Sequence, residues 1–108
     1  MIRAKLCREG RAFTLELEGH AAYAEPGQDL VCAAVSTLVF ALESYLDGLD
    51  KEGLLKKREK SVLESGRARI NAVPKAKAAD RLCGAFELIY CFLTLLEEYY
   101  PENIKISR

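Results

Sequence analysis

The chain has 108 residues, half of them apolar and 30% charged, with 16 Lys and Arg balanced by 16 Asp and Glu. That length suits a single domain, residues 1–108, with one real core, and the composition excludes disorder. Zero net charge argues against direct nucleic-acid binding, and a single histidine rules out histidine-rich metal sites and any mechanism needing two imidazoles.

Residues 1–8 alternate charged and apolar side chains without a continuous apolar run, so they do not read as a signal peptide and a cytoplasmic protein is expected. Ile2, Ala4 and Leu6 share one face, opposite Arg3, Lys5 and Cys7. After a Gly10-Arg11 turn, Phe13, Leu15 and Leu17 point inward while Thr14, Glu16 and Glu18 point outward. Two period-two runs around a glycine turn predict a β-hairpin with one wet face, ending at Gly19-His20. Residues 21–28 contain Pro26 and Gly27 and read as an irregular loop.

From 29 to about 49 the pattern is helical, with Asp29 as its N-cap. Val31, Val35, Leu38, Leu42, Leu46 and Leu49 form a stripe that Leu30, Ala33, Ala34, Ala41 and Tyr45 widen, which predicts a helix buried on more than one side. Ser36, Thr37, Glu43, Ser44 and Asp47 argue against a membrane span. Residues 54–64 carry Lys56-Lys57-Arg58; Ser65-Gly66 then turns the chain, and 67–73 alternate again. This is a second hairpin, polar and near a sheet edge, ended by Pro74. Residues 78–100 form a second long helix stopped by Pro101, and Ile104 and Ile106 suggest a short last strand.

The order β-β-α-β-β-α-β predicts a two-layer α+β domain with a largely antiparallel sheet and two long helices. The run 88–96 in the second helix is apolar in every direction. One sheet covers only one face of it, so the other meets the first helix or, as expected here, a second copy in a homodimer.

The cysteines stand at 7, 32, 83 and 91 with no Cys-x-x-Cys pair, so zinc ribbons and thioredoxin-like motifs lack their residues and no metal or cofactor is expected. Cys83 and Cys91, eight residues apart in one helix, are roughly 12 Å apart along its axis, beyond the ~7 Å between Cα atoms that a disulfide spans. A cytosol keeps such thiols reduced. Cys7 falls in a strand and Cys83 and Cys91 in the apolar second helix, which are poor settings for catalysis.

Cys32 and His20 differ, because both flank the junction where a strand hands over to a helix. Free N–H groups of a first helical turn favour a thiolate and can hold an oxyanion. A nearby imidazole can serve as general base and acid in acyl transfer. Taken alone, Cys32 fits a small core residue and His20 a surface or capping residue. Their coincidence at one junction is what makes a site.

The stretch Gly19-His20-Ala21-Ala22-Tyr23-Ala24-Glu25-Pro26-Gly27-Gln28-Asp29-Leu30-Val31-Cys32-Ala33-Ala34-Val35-Ser36 resembles the signature of the bacterial ribosomal-processing cysteine proteases, the Prp family. That signature has Gly-His-Ala, a glycine-containing loop, then Asp-x-Val-Cys-Ala-Ala-Val-Ser. The resemblance implies a small cytoplasmic homodimer that removes an N-terminal extension from a large-subunit ribosomal protein, protein twenty-seven, cutting after an aromatic residue. It places the nucleophile on Cys32, the base on His20, and the motif's Asp and Ser on Asp29 and Ser36. On this reading Asp29 caps the helix or orients His20. Ser36, one turn past Cys32, bonds the thiol, the imidazole or substrate, or else its own helix. Gly19 and Gly27 act as hinges of a substrate loop in which Ala22, Tyr23, Ala24 and Pro26 touch an extended apolar peptide. Two other functions compete: a non-catalytic ribosome-assembly binding protein using Lys56, Lys57, Arg58, Arg67 and Arg69, and a thiol redox sensor.

Overall fold

The computed structural model describes residues 1–19 and 26–108, with side chains from residue 30 onward in the second stretch. Strands β1 (Ile2–Glu9) and β2 (Ala12–Glu18) pair antiparallel from Arg3↔Glu18 to Glu9↔Ala12. Gly10, at φ +59°, takes the first central position of their two-residue turn, where a type II′ hairpin needs a residue without a Cβ. As the alternation predicted, Ile2, Ala4, Leu6, Phe13, Leu15 and Leu17 are buried.

Helix α1 (Pro26–Lys51) follows, then β3 (Leu55–Arg58), β4 (Val62–Glu64), β5 (Arg67–Pro74), a 3-10 turn at Ala76–Ala78, α2 (Ala79–Tyr99) and β6 (Ile104–Ser107). The sheet order is β3-β5-β2-β1-β6, with β4 pairing the other half of β5 beyond β3. Among the described residues β1–β6 is the parallel pair and the rest are antiparallel. Both helices lie on one face of the sheet. Val31, Val35, Val39, Leu42, Leu46 and Leu49 of α1 join Leu82, Phe86, Ile89 and Leu93 of α2 and the inward strand residues in one core, and the rings of Phe13 and Phe86 stand 5.0 Å apart. The two-layer α+β arrangement is the one the element order implied.

Four details depart from the sequence-based expectations. First, α1 opens at Pro26, so 26–28 are helical and Asp29 lies inside the first turn, not at an N-cap. Proline breaks helices in their interior, but its fixed φ and missing N–H suit the first helical position. Second, α1 buries one face and no more. Val39, not Leu38, continues its buried line, while Leu30 and Phe40 are 60% and 62% exposed. By length and hydropathy Leu30–Lys51 matches a bilayer span, as core helices do, and its apolar line is spent on the sheet.

Third, the first strand of the second hairpin is broken at 59–61 into β3 and β4, and β3 itself carries a register shift between Leu55 and Lys57. Arg58 turns there toward α1, where Glu43 and Asp47 receive it. Fourth, Pro74 is the last residue of β5, opposite Leu55, rather than a stop beyond it. On α2, Leu88, Leu95 and Tyr99 are 71%, 52% and 74% exposed, and Cys91 between them is exposed too. Helix α1 does not cover that stripe.

Candidate active site

The site begins where β2 leaves the sheet. Gly19 has φ +102°, a conformation that L side chains rarely adopt, and its N–H donates to the Gly66 carbonyl at 2.9 Å. A Cβ at this position would lie 2.2 Å from the carbonyl oxygen of Met1. Gly19, expected as a hinge, thus stands between two backbone carbonyls. His20, Ala22, Tyr23 and Ala24 lie outside the described residues. Gly27 is a helical residue of α1, not a loop hinge.

Cys32 is the seventh residue of α1 and is half-buried. The first turn, whose N–H groups find no partner inside a helix, ends before it. Ser36 lies one turn further on the same face and is exposed; among the described residues its hydroxyl makes no hydrogen bond. Its neighbour Thr37 instead donates back to the Ala33 carbonyl at 2.9 Å.

Cys32 and Ser36 open onto a groove of about 390 Å³, within the range of ligand pockets. Its opposite wall is the β4–β5 hairpin, with Leu63, Ser65, Gly66 and Arg67, and Gly19 also lines it. Phe40 on α1 and Leu63 on β4, 62% and 39% exposed, flank it as apolar side chains left in solvent. Of the other cysteines, Cys83 sits 3.8 Å from an Arg8 nitrogen and Cys91 faces outward from α2; neither lines the groove. Among the described residues no cluster of His, Cys, Asp and Glu is arranged to hold a metal ion.

Phe40 belonged to a signal present in the sequence, because it follows Ser36 at helical spacing. The β4–β5 wall was not readable, because only the pairing Glu18↔Arg67 brings it beside the end of β2.

The basic run behaves differently from a free positive patch. Arg58 donates to Asp47 Oδ1 at 2.6 Å, to the Glu43 carboxylate and to the Glu43 carbonyl at 3.4 Å. Burial pulls its proton affinity down, but the bonds to Asp47 and Glu43 outweigh this and hold the guanidinium above its ordinary range, so it stays charged. Arg69 is paired with Glu16 and, at 3.4 Å, with Glu59. Carboxylates thus answer two of the arginines that the binding-protein alternative relied on.

The family model described as Cysteine protease Prp matches residues 1–105. The fold is similar to that of an essential ribosomal processing protease, Prp, from S. aureus crystallised with a substrate peptide. That match has 20% identity and a TM-score of 0.70, over 99% of this chain and 98% of that one. The same S. aureus protease with a covalently linked product peptide matches at 23% identity and TM-score 0.71, over 99% and 98%. SMU.848 from Streptococcus mutans matches at 28% identity and TM-score 0.73, over 99% of this chain and 92% of that one. No curated protein matches the chain.

Proposed function

Because the chain belongs to the Prp family of cysteine proteases, we propose that it is the endopeptidase that removes the N-terminal extension of large-subunit ribosomal protein twenty-seven. The observation that carries this reading is the groove. Cys32, Ser36 and Gly19 line it, and Gly19 is the residue directly before His20. Cys32 attacks the scissile carbonyl, His20 takes the thiol proton and returns it to the leaving amine, and water then hydrolyses the thioester. Asp29 and Ser36 support the pair, and the segment with Ala22, Tyr23, Ala24 and Gly27 contributes to substrate contact. Support for these roles comes from their places in the motif around Cys32.

The peptide lies extended along the free side of β4, with an apolar side chain against Phe40 and Leu63. The opposite sheet edge favours this choice: there the Glu97 carboxylate accepts the outward Ile106 N–H at 3.0 Å, which occupies a group that an added strand needs. A single domain working as a cytoplasmic homodimer on a peptide, not on nucleic acid or membrane, completes the proposal; the exposed apolar stripe of α2 and the balanced charge support it.

The test is cleavage of the extended ribosomal protein, with the product's N-terminus measured by mass. Wild type is expected to cut after an aromatic residue, while Cys32→Ala and His20→Ala lose the activity with folding intact. Undiminished cleavage by Cys32→Ala sinks the reading. Copurification with ribosomes without any proteolysis by wild type would favour the binding protein.

A further inference from the structure

Outside the lining of the groove beside Cys32, a charged cluster joins α1 to the chain that enters β4. Along α1, Cys32, Ser36 and Glu43 follow one another on one face, and Asp47 stands one turn beyond Glu43. The chain entering β4 runs back along that face. Ser61, just before β4, donates to Glu43 Oε1 at 2.7 Å, and Leu63 then shares the groove with Phe40, Ser36 and Cys32. At the end of β3, Arg58 reaches Asp47 and both the carboxylate and the carbonyl of Glu43.

Within this cluster the Arg58–Glu43 pair is more sheltered than the other ion pairs among the described residues. The Arg58 and Glu43 side chains are 13% and 20% exposed, against 34–60% for the partners in the pairs outside the cluster, while Asp47 is 58% exposed. Exposed pairs hold little, whereas a guanidinium engaged by several acceptors in a sheltered place fixes geometry. Strand β4 has three residues and pairs with β5 alone among the described strands. A strand so short is weakly held by its own pairing. Its distance from α1 therefore depends on what ties its entry to the helix.

We propose that Arg58 is a positioning residue for the protease: by tying the broken sheet edge to Glu43 and Asp47, it sets the width of the groove in which the substrate backbone lies. This rests on the assignment of Cys32 as nucleophile. Glu43 is about 16 Å beyond Cys32 along the axis at ~1.5 Å per residue, the span of roughly five extended residues at ~3.3 Å each. At that distance the clamp acts on the reaction through β4 and never touches the reacting atoms.

The experiment compares wild type, Arg58→Met and Arg58→Lys in steady-state cleavage of a peptide with an aromatic residue before the cut, with active sites titrated. Alongside, the rate at which iodoacetamide alkylates Cys32 is read by peptide mass. Arg58→Met is expected to raise KM about tenfold with kcat within about twofold of wild type, and to leave Cys32 alkylation unchanged. Arg58→Lys keeps the charge without the planar fork and recovers part of the KM. Should Arg58→Met fail to fold, Ser61→Ala and Asp47→Ala each remove one bond of the clamp and show the same split at smaller size. An unchanged KM per titrated site, or equal losses in kcat and alkylation, overturns the proposal. If instead Cys32→Ala still cleaves, the nucleophile assignment fails, and Arg58→Met is judged on anisotropy of the labelled peptide, where an unchanged Kd overturns the clamp.

Discussion

Gly19 is the residue on which the strand end and the hairpin turn converge. Its positive φ, its N–H on the Gly66 carbonyl and the close Met1 carbonyl each demand a position without a side chain. A Gly19→Ala variant pays for the left-handed backbone, about 1–3 kcal/mol, and also has to displace backbone, not a flexible side chain, from 2.2 Å. We expect thermal denaturation to show Tm lowered by at least about 5 °C. Gly53→Ala, also at positive φ but with nothing within 4 Å of a Cβ, separates the two contributions by losing only the backbone part. Equal losses in the two variants would show that the close approach to Met1 carries no weight. At this scale the sequence was informative about residue type and silent about cause. Gly19 stood out beside His20 as a hinge, whereas the carbonyls that require it come from Met1 and Gly66, one far before and one far after it in the chain.

The elements divide by how local their determinants are. The first hairpin was legible to the residue, because its alternation and its Gly10-Arg11 turn are all within one stretch. The opening of α1 was not, because Pro26-Gly27 reads as a breaker until the helix is seen to start on the proline itself. The break between β3 and β4 was hidden for another reason: Arg58 looks like one cation in a solvated run, and its partners lie 11 and 15 residues earlier on a helix face. The same holds for the site, whose helix side was readable from the spacing of Cys32 and Ser36 and whose strand side was not. That strand side yields a prediction. Phe40 and Leu63 are exposed and outside the buried core, so Phe40→Ala and Leu63→Ala are each expected to change Tm by little, within about 0.5 kcal/mol of stability. If a peptide side chain lies between them, each raises KM several-fold, and the double variant more so. Peptide kinetics with unaltered KM in both would move the substrate elsewhere in the groove.

Across the whole molecule, one sheet face is covered by two helices, and their outer surfaces are unlike. Outward from α1 lie Ala33, Thr37, Ala41, Ser44 and Gly48, with the exposed Leu30, Phe40 and Tyr45 set apart from one another, whereas α2 presents Leu88, Cys91, Leu95 and Tyr99 in one line at helical spacing. Large apolar side chains aligned over three turns are not scattered surface hydrophobes; they are a patch of the kind that marks an interface. Covering one such leucine is worth roughly 1.5–3 kcal/mol, enough that two of them, doubled by a twofold axis, offset much of the cost of association. Changing Leu88 and Leu95 together to Glu leaves the buried Leu82, Phe86, Ile89 and Leu93 of α2 untouched. The double variant is therefore expected to stay folded by circular dichroism and to run as a monomer in light scattering, where wild type runs as a dimer. On this proposal the wild-type Tm is expected to rise with protein concentration and the variant's is not. A wild-type monomer, or a variant that dimerises as tightly as wild type, would place the subunit contact away from this stripe.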